Sequence, residues 1–244
     1  MEYREEDIRT AMLLGESAME KLRDAHVAVF GVGGVGGHLC EALARAGVGA
    51  IDLFDNDEVS RSNINRQIVA LHSTLGRAKV DVMRDRILDI NPDCLVRTYR
   101  TFYLPENADN YPLGGYTYIA DAIDTVSAKI ELAVRAARAG VPLISAMGAG
   151  NRTDPTRFAV TDLFKTEGCP LARVMRRELR ARGIKHLKVV FSSEPTASIP
   201  EDAPAISGDP KKRAPASLPF VPSVAGLIMA GEIVMDICAK PSCD

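Results

Sequence analysis

A glycine-rich segment at residues 31–36 has the pattern G-x-G-x-x-G and follows the apolar run 27–30. Between a strand and a helix, such glycines let the backbone approach a phosphate and direct a helix N-terminus at it. The candidate phosphate-binding residues are Gly31, Gly33, Gly34 and Gly36. A tight glycine turn without a ligand has the same pattern, but the strand before it and the helix after it favour a nucleotide site.

Two acidic residues follow the second apolar run, at 50–54. Asp55 comes directly after that run, about 20 residues beyond the glycine segment, where a Rossmann unit places the carboxylate that binds the ribose hydroxyls. Asp57 follows closely, and either carboxylate could instead cap a loop or a helix. The position predicts ribose binding by Asp55, with capping as the alternative.

A polar cluster separates the second strand from the next predicted helix. It contains Asn63, Arg66 and Gln67, and Lys79 stands twelve residues further on. A dinucleotide enzyme binds pyrophosphate largely through backbone amides, whereas nucleotidyl transfer must neutralise charge on the α-phosphate and on the departing pyrophosphate. Arg66 and Lys79 could supply that charge, and the two amides could orient phosphate oxygens. Each residue alone would pass as a surface or capping residue, but the spaced set indicates a triphosphate site.

A further carboxylate follows the fourth predicted strand. Asp124 stands at the carboxyl edge of the sheet, where ligands bind in open α/β folds, and it could hold the Mg²⁺ that accompanies ATP. Its alternative role is the N-cap of the helix that begins near Ser127. Asp121 is the weaker candidate, since a strand that continued to Ile123 would point its side chain the other way.

One cysteine has surroundings that could activate it. Cys169 precedes Pro170 at the start of a basic helix, and both cations and a helix N-terminus lower the pKa of a thiol. A solitary cysteine without a placed base is more often inert, so Cys169 is a candidate nucleophile only in reactions that need an acyl acceptor. The four histidines show no metal-ligand spacing.

The composition is that of an ordinary globular chain: 244 residues, 46% hydrophobic and 25% charged. Its five cysteines form no C-x-x-C pair, and no signal peptide is seen, so we expect a reduced, cytoplasmic protein without a disulfide framework. The net charge of −2 conceals a basic segment, 165–188. That segment is either a solvated helix face or a surface for an anionic partner.

Strands alternate with helices through the first part of the chain, which predicts an α/β fold with a doubly wound, mainly parallel sheet. The predicted strands are 26–30, 50–55, 94–101, 116–123 and 141–146, and the predicted helices are 34–46, 76–90 and 127–139. We expect an N-terminal helical arm, 1–25, and a nucleotide-binding core, 26–150.

The regular alternation of strands and helices ends in the C-terminal extension, 151–244. Strands at 157–165 and 187–192 flank the basic helix, 169–182, and should extend the sheet of the same domain. The Pro- and Ser-rich stretch 193–217, which contains Lys211-Lys212-Arg213, predicts a mobile loop. The apolar helix 220–239 carries Glu232 and Asp236, which favours a core or dimer helix over a membrane helix, the alternative that stays open.

Several of these segments together resemble the adenylating core of the ubiquitin-activating superfamily (ThiF, MoeB and HesA). The matching segments are 31–36, 53–57, 63–67, 76–79 and 121–124. Segments 148–156, 170–180 and 217–226 are similar to the branch that dehydrates threonylcarbamoyladenosine in tRNA. The resemblance covers nearly the whole chain and implies a ThiF-like adenylating fold with ATP and Mg²⁺ as cofactors.

The resemblance also implies roles for individual residues. The glycine loop would hold phosphates, Asp55 the ribose and Asp124 the Mg²⁺. The triphosphate would be bound by Asn63, Arg66 and Lys79. Arg9 matches an N-terminal arginine that reaches into the neighbouring subunit's ATP site, which implies a homodimer.

The favoured hypothesis is an ATP-dependent dehydratase that adenylates the carboxylate of threonylcarbamoyladenosine in tRNA and closes it to a cyclic form. A second hypothesis takes the C-terminal carboxylate of a ubiquitin-like sulfur carrier as substrate, with Cys169 as acyl acceptor. The C-x-x-C zinc pairs common in sulfur-carrier activators are missing here, which argues against it. A nicotinamide oxidoreductase is a third hypothesis, and a non-catalytic ATP-binding partner of a sulfurtransferase is a fourth. A cysteine desulfurase or sulfur-acceptor system stays open as a partner, and no DNA partner is expected.

Overall fold

The protein has one seven-stranded sheet in the order β3-β2-β1-β4-β5-β7-β6. The computed structural model describes residues 4–200, 203 and 215–239. The strands are β1 (His26–Phe30), β2 (Ala50–Phe54), β3 (Leu95–Tyr99), β4 (Tyr118–Asp121), β5 (Leu143–Ala146), β6 (Phe158–Asp162) and β7 (Lys188–Ser192). All neighbouring strands are parallel except β6 and β7, which are antiparallel. The predicted doubly wound, mainly parallel sheet with a C-terminal extension is therefore confirmed.

Helices cover both faces of this sheet. They are α1 (Ile8–Leu14), α2 (Glu16–Asp24), α3 (Gly36–Arg45), α4 (Lys79–Ile90), α5 (Val126–Ala139), α6 (Pro170–Ala181) and α7 (Phe220–Cys238). The central strand β1 is buried on both sides because its residues alternate between two apolar clusters: Val27 and Val29 belong to one, Ala28 and Phe30 to the other. A strand buried on both faces is a continuous apolar run, and this is the pattern that predicts β1 from the sequence.

The N-terminal arm is a broken helix. Gly15 has a φ of 82° and separates α1 from α2. The second of these helices buries Met19 and Leu22, whereas α1 has no buried residue and leaves the side chains of Met12 and Leu13 more than three-quarters exposed, at 80% and 87%. Arg9 lies exposed on α1. The arm therefore presents an apolar surface next to that arginine.

Several element boundaries differ from the predicted ones. The helix expected from residue 76 begins at Lys79, because Gly76 adopts a φ of 78° and an isolated bridge pairs Glu58 with Ala78. The strand expected to reach residue 123 ends at Asp121. The strand expected over 157–165 covers only Phe158–Asp162 and is followed by a short 3₁₀ turn.

The C-terminal extension shares the sheet of the core, since β7 pairs in parallel with β5. Helix α6 has a buried apolar face, with Met175 and Leu179 fully covered. The predicted loop 193–217 falls largely on residues 201–202 and 204–214, which lie outside the described residues, as do Lys211-Lys212-Arg213.

Helix α7 packs against α3, α2 and the strands β5 and β7. It is long and apolar enough to cross a membrane by length and composition, a test that core helices of soluble proteins also pass. Its two acids have protein partners: Lys188 Nζ lies 3.0 Å from Glu232 Oε2 and 2.7 Å from Asp236 Oδ2, and Tyr118 donates to Asp236 at 2.7 Å. These contacts make α7 a core helix of this fold, in line with the expectation.

Gly226 is required where α7 crosses α3. A Cβ atom there would lie 2.3 Å from the carbonyl oxygen of Val35, a backbone atom that cannot move alone. We predict that Gly226→Ala lowers the free energy of unfolding by about 1–3 kcal/mol through overpacking. Gly231→Ala on the same helix is the matched control, since nothing lies within 4 Å of its Cβ. Thermal unfolding checks this, and equal melting temperatures for the two variants would contradict it.

Candidate functional site

A cavity of about 640 Å³ opens at the carboxyl ends of the parallel strands. It lies where the strand order reverses between β1 and β4, which is where open α/β sheets bind ligands. Most of the residues predicted from the sequence line it. They are Gly31, Gly33, Gly34, Asp55, Asp57, Asn63, Arg66, Gln67, Lys79 and Asp124. The fold therefore brings to one place residues that are far apart in the chain.

The glycines of the loop have two different roles. Gly31 has a φ of 92°, and a Cβ there would lie 2.6 Å from the carbonyl oxygen of Ala122. Gly36 is not a cavity-lining residue, contrary to its assignment to the phosphate site: its Cβ would lie 1.8 Å from the carbonyl oxygen of Gly31. Both residues are therefore needed for backbone packing. Gly31 also lines the cavity, together with Gly33 and Gly34, so these three glycines are the ones that a phosphate could reach.

Asp55 ties the glycine loop to the end of β2. Its Oδ2 accepts a hydrogen bond from the backbone N of Val32 at 2.7 Å, and its Oδ1 accepts one from the backbone N of Asp57 at 2.8 Å. Burial raises the pKa of this carboxyl, with Lys79 acting in the opposite direction. The two predicted roles are thus not exclusive, because the same carboxylate caps the loop and lines the cavity.

Lys79 is held in place before any ligand binds. It is the first residue of α4 and only 4% exposed, and its Nζ lies 2.6 Å from Oδ2 of the exposed Asp57. A lysine with a buried stem and one carboxylate partner has lost most of its rotamer freedom in the free protein. Its ammonium group is therefore positioned at the cavity wall at little further entropic cost.

The segment 60–67 forms a compact polar turn. The Asn63 side chain accepts a hydrogen bond from the backbone N of Ser60 at 3.1 Å. Arg66 Nη1 donates to the carbonyl oxygen of Ser62 at 2.9 Å and to Asn65 Oδ1 at 2.8 Å. These contacts fix one edge of the Arg66 guanidinium and leave it without a carboxylate partner within the described structure, so its charge is available to an anion.

Two buried polar atoms on the cavity wall have no hydrogen-bond partner among the described residues. They are Oε1 of Gln67 and the hydroxyl of Tyr103. Burial raises the pKa of Tyr103 to about 12. Unpaired buried polar atoms are rare and costly, and at a cavity wall they indicate contacts that a ligand would complete.

Asp124 is exposed and lines the cavity. The N-cap of α5 is Thr125, so the alternative N-cap role of Asp124 is wrong. No ion pair involves Asp124 within the described ranges, and its carboxylate accepts one long hydrogen bond, from Thr125 Oγ1 at 3.4 Å, so it is available to a hard cation. The described residues contain no cluster of three or more potential metal ligands, so Mg²⁺ would need phosphate or water oxygens as its other ligands.

Besides Gly36, two predicted residues lie away from the cavity wall. Cys169 is 3% exposed and belongs to the apolar cluster on one face of the sheet. Arg9 lies on the exposed arm and does not line the cavity of its own chain. The implied role of Arg9 requires a second subunit and stays a prediction.

Part of the cavity wall was not predicted from the sequence. Thr101, Phe102 and Tyr103 follow β3, and the segment 148–150 follows β5. Phe102 is 45% exposed and lies at the cavity although it is apolar. Their position in the sequence could have indicated them, because both segments directly follow strands whose carboxyl ends lie at this edge of the sheet.

Comparison with known proteins decides the family. A model described as the ThiF family matches residues 6–242. The chain belongs to the ThiF family. It is 47% identical over 236 residues to the tRNA threonylcarbamoyladenosine dehydratase of Bacillus subtilis (strain 168), covering 94% of this chain and 93% of that protein.

Crystal structures of the Escherichia coli tRNA N6-threonylcarbamoyladenosine dehydratase share the fold of this ThiF-family chain. The complex with AMP gives a TM-score of 0.88 at 36% identity, covering 99% of this chain and 97% of that one. The complex with ATP gives 0.85 at 37% identity, covering 96% and 94%. The resemblance, the adenylating fold and the predicted enzyme class, an ATP-dependent adenylating enzyme, are confirmed by these matches.

We predict that Arg66→Ala and Lys79→Ala each weaken ATP binding at least about tenfold, since a lost charge-assisted hydrogen bond costs about 1.5–3 kcal/mol. Titration calorimetry with ATP and Mg²⁺ measures this. Arg61→Ala is the matched control, an exposed arginine of the same turn that does not line the cavity. Unchanged affinity in both cavity variants, with unchanged melting temperature, would refute the triphosphate clamp.

Proposed function

We propose that this protein adenylates the carboxylate of threonylcarbamoyladenosine in tRNA and closes the product to a cyclic form. The observation that carries the proposal is the convergence of Asp55, Arg66, Lys79 and Asp124 on one cavity at the switch point of the sheet. The similarity to tRNA threonylcarbamoyladenosine dehydratases over nearly the full chain supports the choice of substrate.

The first step activates a poor electrophile. A free carboxylate cannot be attacked easily because its leaving group would be oxide. One carboxylate oxygen attacks the α-phosphorus of ATP, the bond to the β-phosphate breaks, and an acyl-adenylate and pyrophosphate form. Negative charge builds on the phosphates in this step, and Arg66 and Lys79, which both line the cavity, would neutralise it.

The second step closes the ring. A nitrogen or oxygen of the substrate's own carbamoyl group attacks the activated carbonyl carbon, loses its proton, and expels AMP. The sum of both steps removes one water from the nucleoside. No protein nucleophile is required, which agrees with the burial of Cys169. Catalysis consists of positioning the reactants and stabilising developing charge.

Mg²⁺ belongs to this proposal as the companion of ATP. Asp124 would hold it, and when bound the ion supplies positive charge to the phosphate oxygens. The chain itself contributes the glycine backbone at Gly33 and Gly34, the carboxylate of Asp55 for the ribose, and the two cations.

The sulfur-carrier hypothesis loses its acyl acceptor, since Cys169 lies in an apolar cluster. The nicotinamide hypothesis does not account for the cations that converge on the cavity. A homodimer in which Arg9 reaches the neighbouring cavity and a cytoplasmic location belong to the proposal as well. The exposed apolar side chains of α1 beside Arg9 support the dimer.

The basic segment would bind the tRNA backbone, but its cations are not equivalent. Lys188 is engaged by α7, Arg176 donates to the carbonyl oxygen of Thr166 at 2.7 Å, and Arg177 pairs with Glu178. Arg173 is exposed and forms no side-chain hydrogen bond or ion pair within the described part of the chain. Its charge is therefore available to a phosphate of the tRNA backbone.

Conversion of ATP to AMP with Mg²⁺ tests the function directly. The enzyme should form AMP with tRNA that carries threonylcarbamoyladenosine and not with the same tRNA lacking it, and the nucleoside should lose one water by mass spectrometry. ATP binding without turnover on the modified tRNA would refute the proposed substrate and favour a protein carboxylate.

The difference between paired and unpaired cations in the basic segment leads to a separate prediction. Arg173→Ala should weaken binding of modified tRNA and reduce the slope of log K against log[salt] by about 1, as expected for one lost phosphate contact. Lys188→Met should leave that slope unchanged, because its charge is engaged by α7. Filter binding over a salt series measures both, and equal slopes for wild type and Arg173→Ala would contradict the assignment.

A further inference from the structure

A completely buried ion pair lies beside the loop that carries Asp124. Lys129 Nζ is 2.9 Å from Asp121 Oδ2, and both side chains are 0% exposed. Such pairs add little net stability, because desolvating both charges offsets their attraction. Lys129 also lies in the first turns of α5, where the helix dipole opposes a positive charge. Stability alone therefore does not explain the pair.

The contacts of the pair converge on one peptide segment. Lys129 Nζ donates to the carbonyl oxygen of Ile123 at 3.1 Å. The backbone N of Ile123 donates to Asp121 Oδ1 at 3.2 Å, and Ser145 Oγ on β5 donates to Asp121 Oδ2 at 2.6 Å. Ile123 is thus held through both its N–H and its C=O group, and the two charges anchor it to α5 and β5.

Asp124 has little to hold it directly. Its side chain is exposed, and its one hydrogen bond within the described structure is a 3.4 Å contact from Thr125 Oγ1. The direction of its carboxylate therefore depends on the backbone before it. Ala122 is fixed by its own hydrogen bond to the carbonyl oxygen of Phe30 at 2.8 Å, which leaves Ile123 as the last adjustable residue.

We propose that Asp121, Lys129 and Ser145 act as a positioning clamp that aims Asp124 at the Mg²⁺ of bound ATP. None of the three lines the cavity, so they act through Ile123 and not on the ligand. The inference rests on the proposed function, in which Asp124 holds the ion. Loss of a residue that orients a metal ligand typically lowers metal affinity or activity by roughly 10–100-fold.

The test uses the double variant Asp121→Asn/Lys129→Met, which removes both charges and leaves no buried ion unpaired, so that the fold is retained. Titration calorimetry measures ATP affinity with Mg²⁺ and again with a chelator. The gain in affinity that Mg²⁺ gives should fall about tenfold or more, while affinity for metal-free ATP stays at the wild-type value. Ser145→Ala removes one donor and should show a smaller loss of the same kind.

Lys188→Met is the control, since it breaks a partly buried ion network with α7, which packs on the opposite face of the sheet from α5. This variant should keep the full gain in ATP affinity that Mg²⁺ gives to the wild-type protein. An undiminished gain in the double variant, or an equal loss with and without Mg²⁺, would overturn the clamp and leave the proposed function intact. A similar loss in the control would overturn it too. Wild-type protein without any Mg²⁺-dependent gain would instead refute the metal role of Asp124, and the clamp with it.

Discussion

The close approach of Gly31 to the carbonyl oxygen of Ala122 is the constraint on which the cavity depends. The adjacent parallel strands β1 and β4 end side by side, and their loops leave in contact, with no room for a Cβ atom between them. One loop then turns into α3 and exposes Gly33 and Gly34, while the other continues to Asp124. A side chain at residue 31 would separate the phosphate loop from the carboxylate that must face it.

Several charged groups of the site have protein partners before a ligand binds. Lys79 is paired with Asp57, and the Asp55 carboxylate is satisfied by two backbone N–H groups. Besides Asp55, the charged wall residues without an ion-pair partner in the described structure are Arg66 and Asp124, and these two have opposite signs. A nucleotide with its cation would complement both. A site arranged in this way needs little rearrangement when charge develops on the phosphates, which is the general source of catalytic stabilisation in such cavities.

Most of the fold and much of the site could be predicted from the sequence, because the signals were local. A continuous apolar run marks β1, and the glycine pattern marks the turn after it. What could not be predicted depends on distant contacts. Lys188 is an example: the two acids that pair with it lie on α7, a helix that follows β7 only after a long connection.

Other features that the sequence does not reveal also depend on distant contacts. Cys169 has basic neighbours in sequence, but the packing of α6 buries it in an apolar cluster. The clamp at Asp121 was invisible because its partners, Lys129 and Ser145, come from a helix and from the next strand. Phe102 has the side chain of a core residue and lies at the cavity because β3 ends beside it. Sequence patterns predict where strands end, and the tertiary fold decides which side chains meet there.

The central claim is that a substrate carboxylate becomes an acyl-adenylate. Isotope transfer tests it most directly: modified tRNA with ¹⁸O in the threonyl carboxylate is converted with unlabelled ATP and Mg²⁺, and the AMP is analysed by mass spectrometry. The oxygen that attacks the α-phosphorus leaves with AMP when the ring closes, so each AMP should carry one ¹⁸O atom when both carboxylate oxygens are labelled. Unlabelled AMP from a complete conversion would contradict the account.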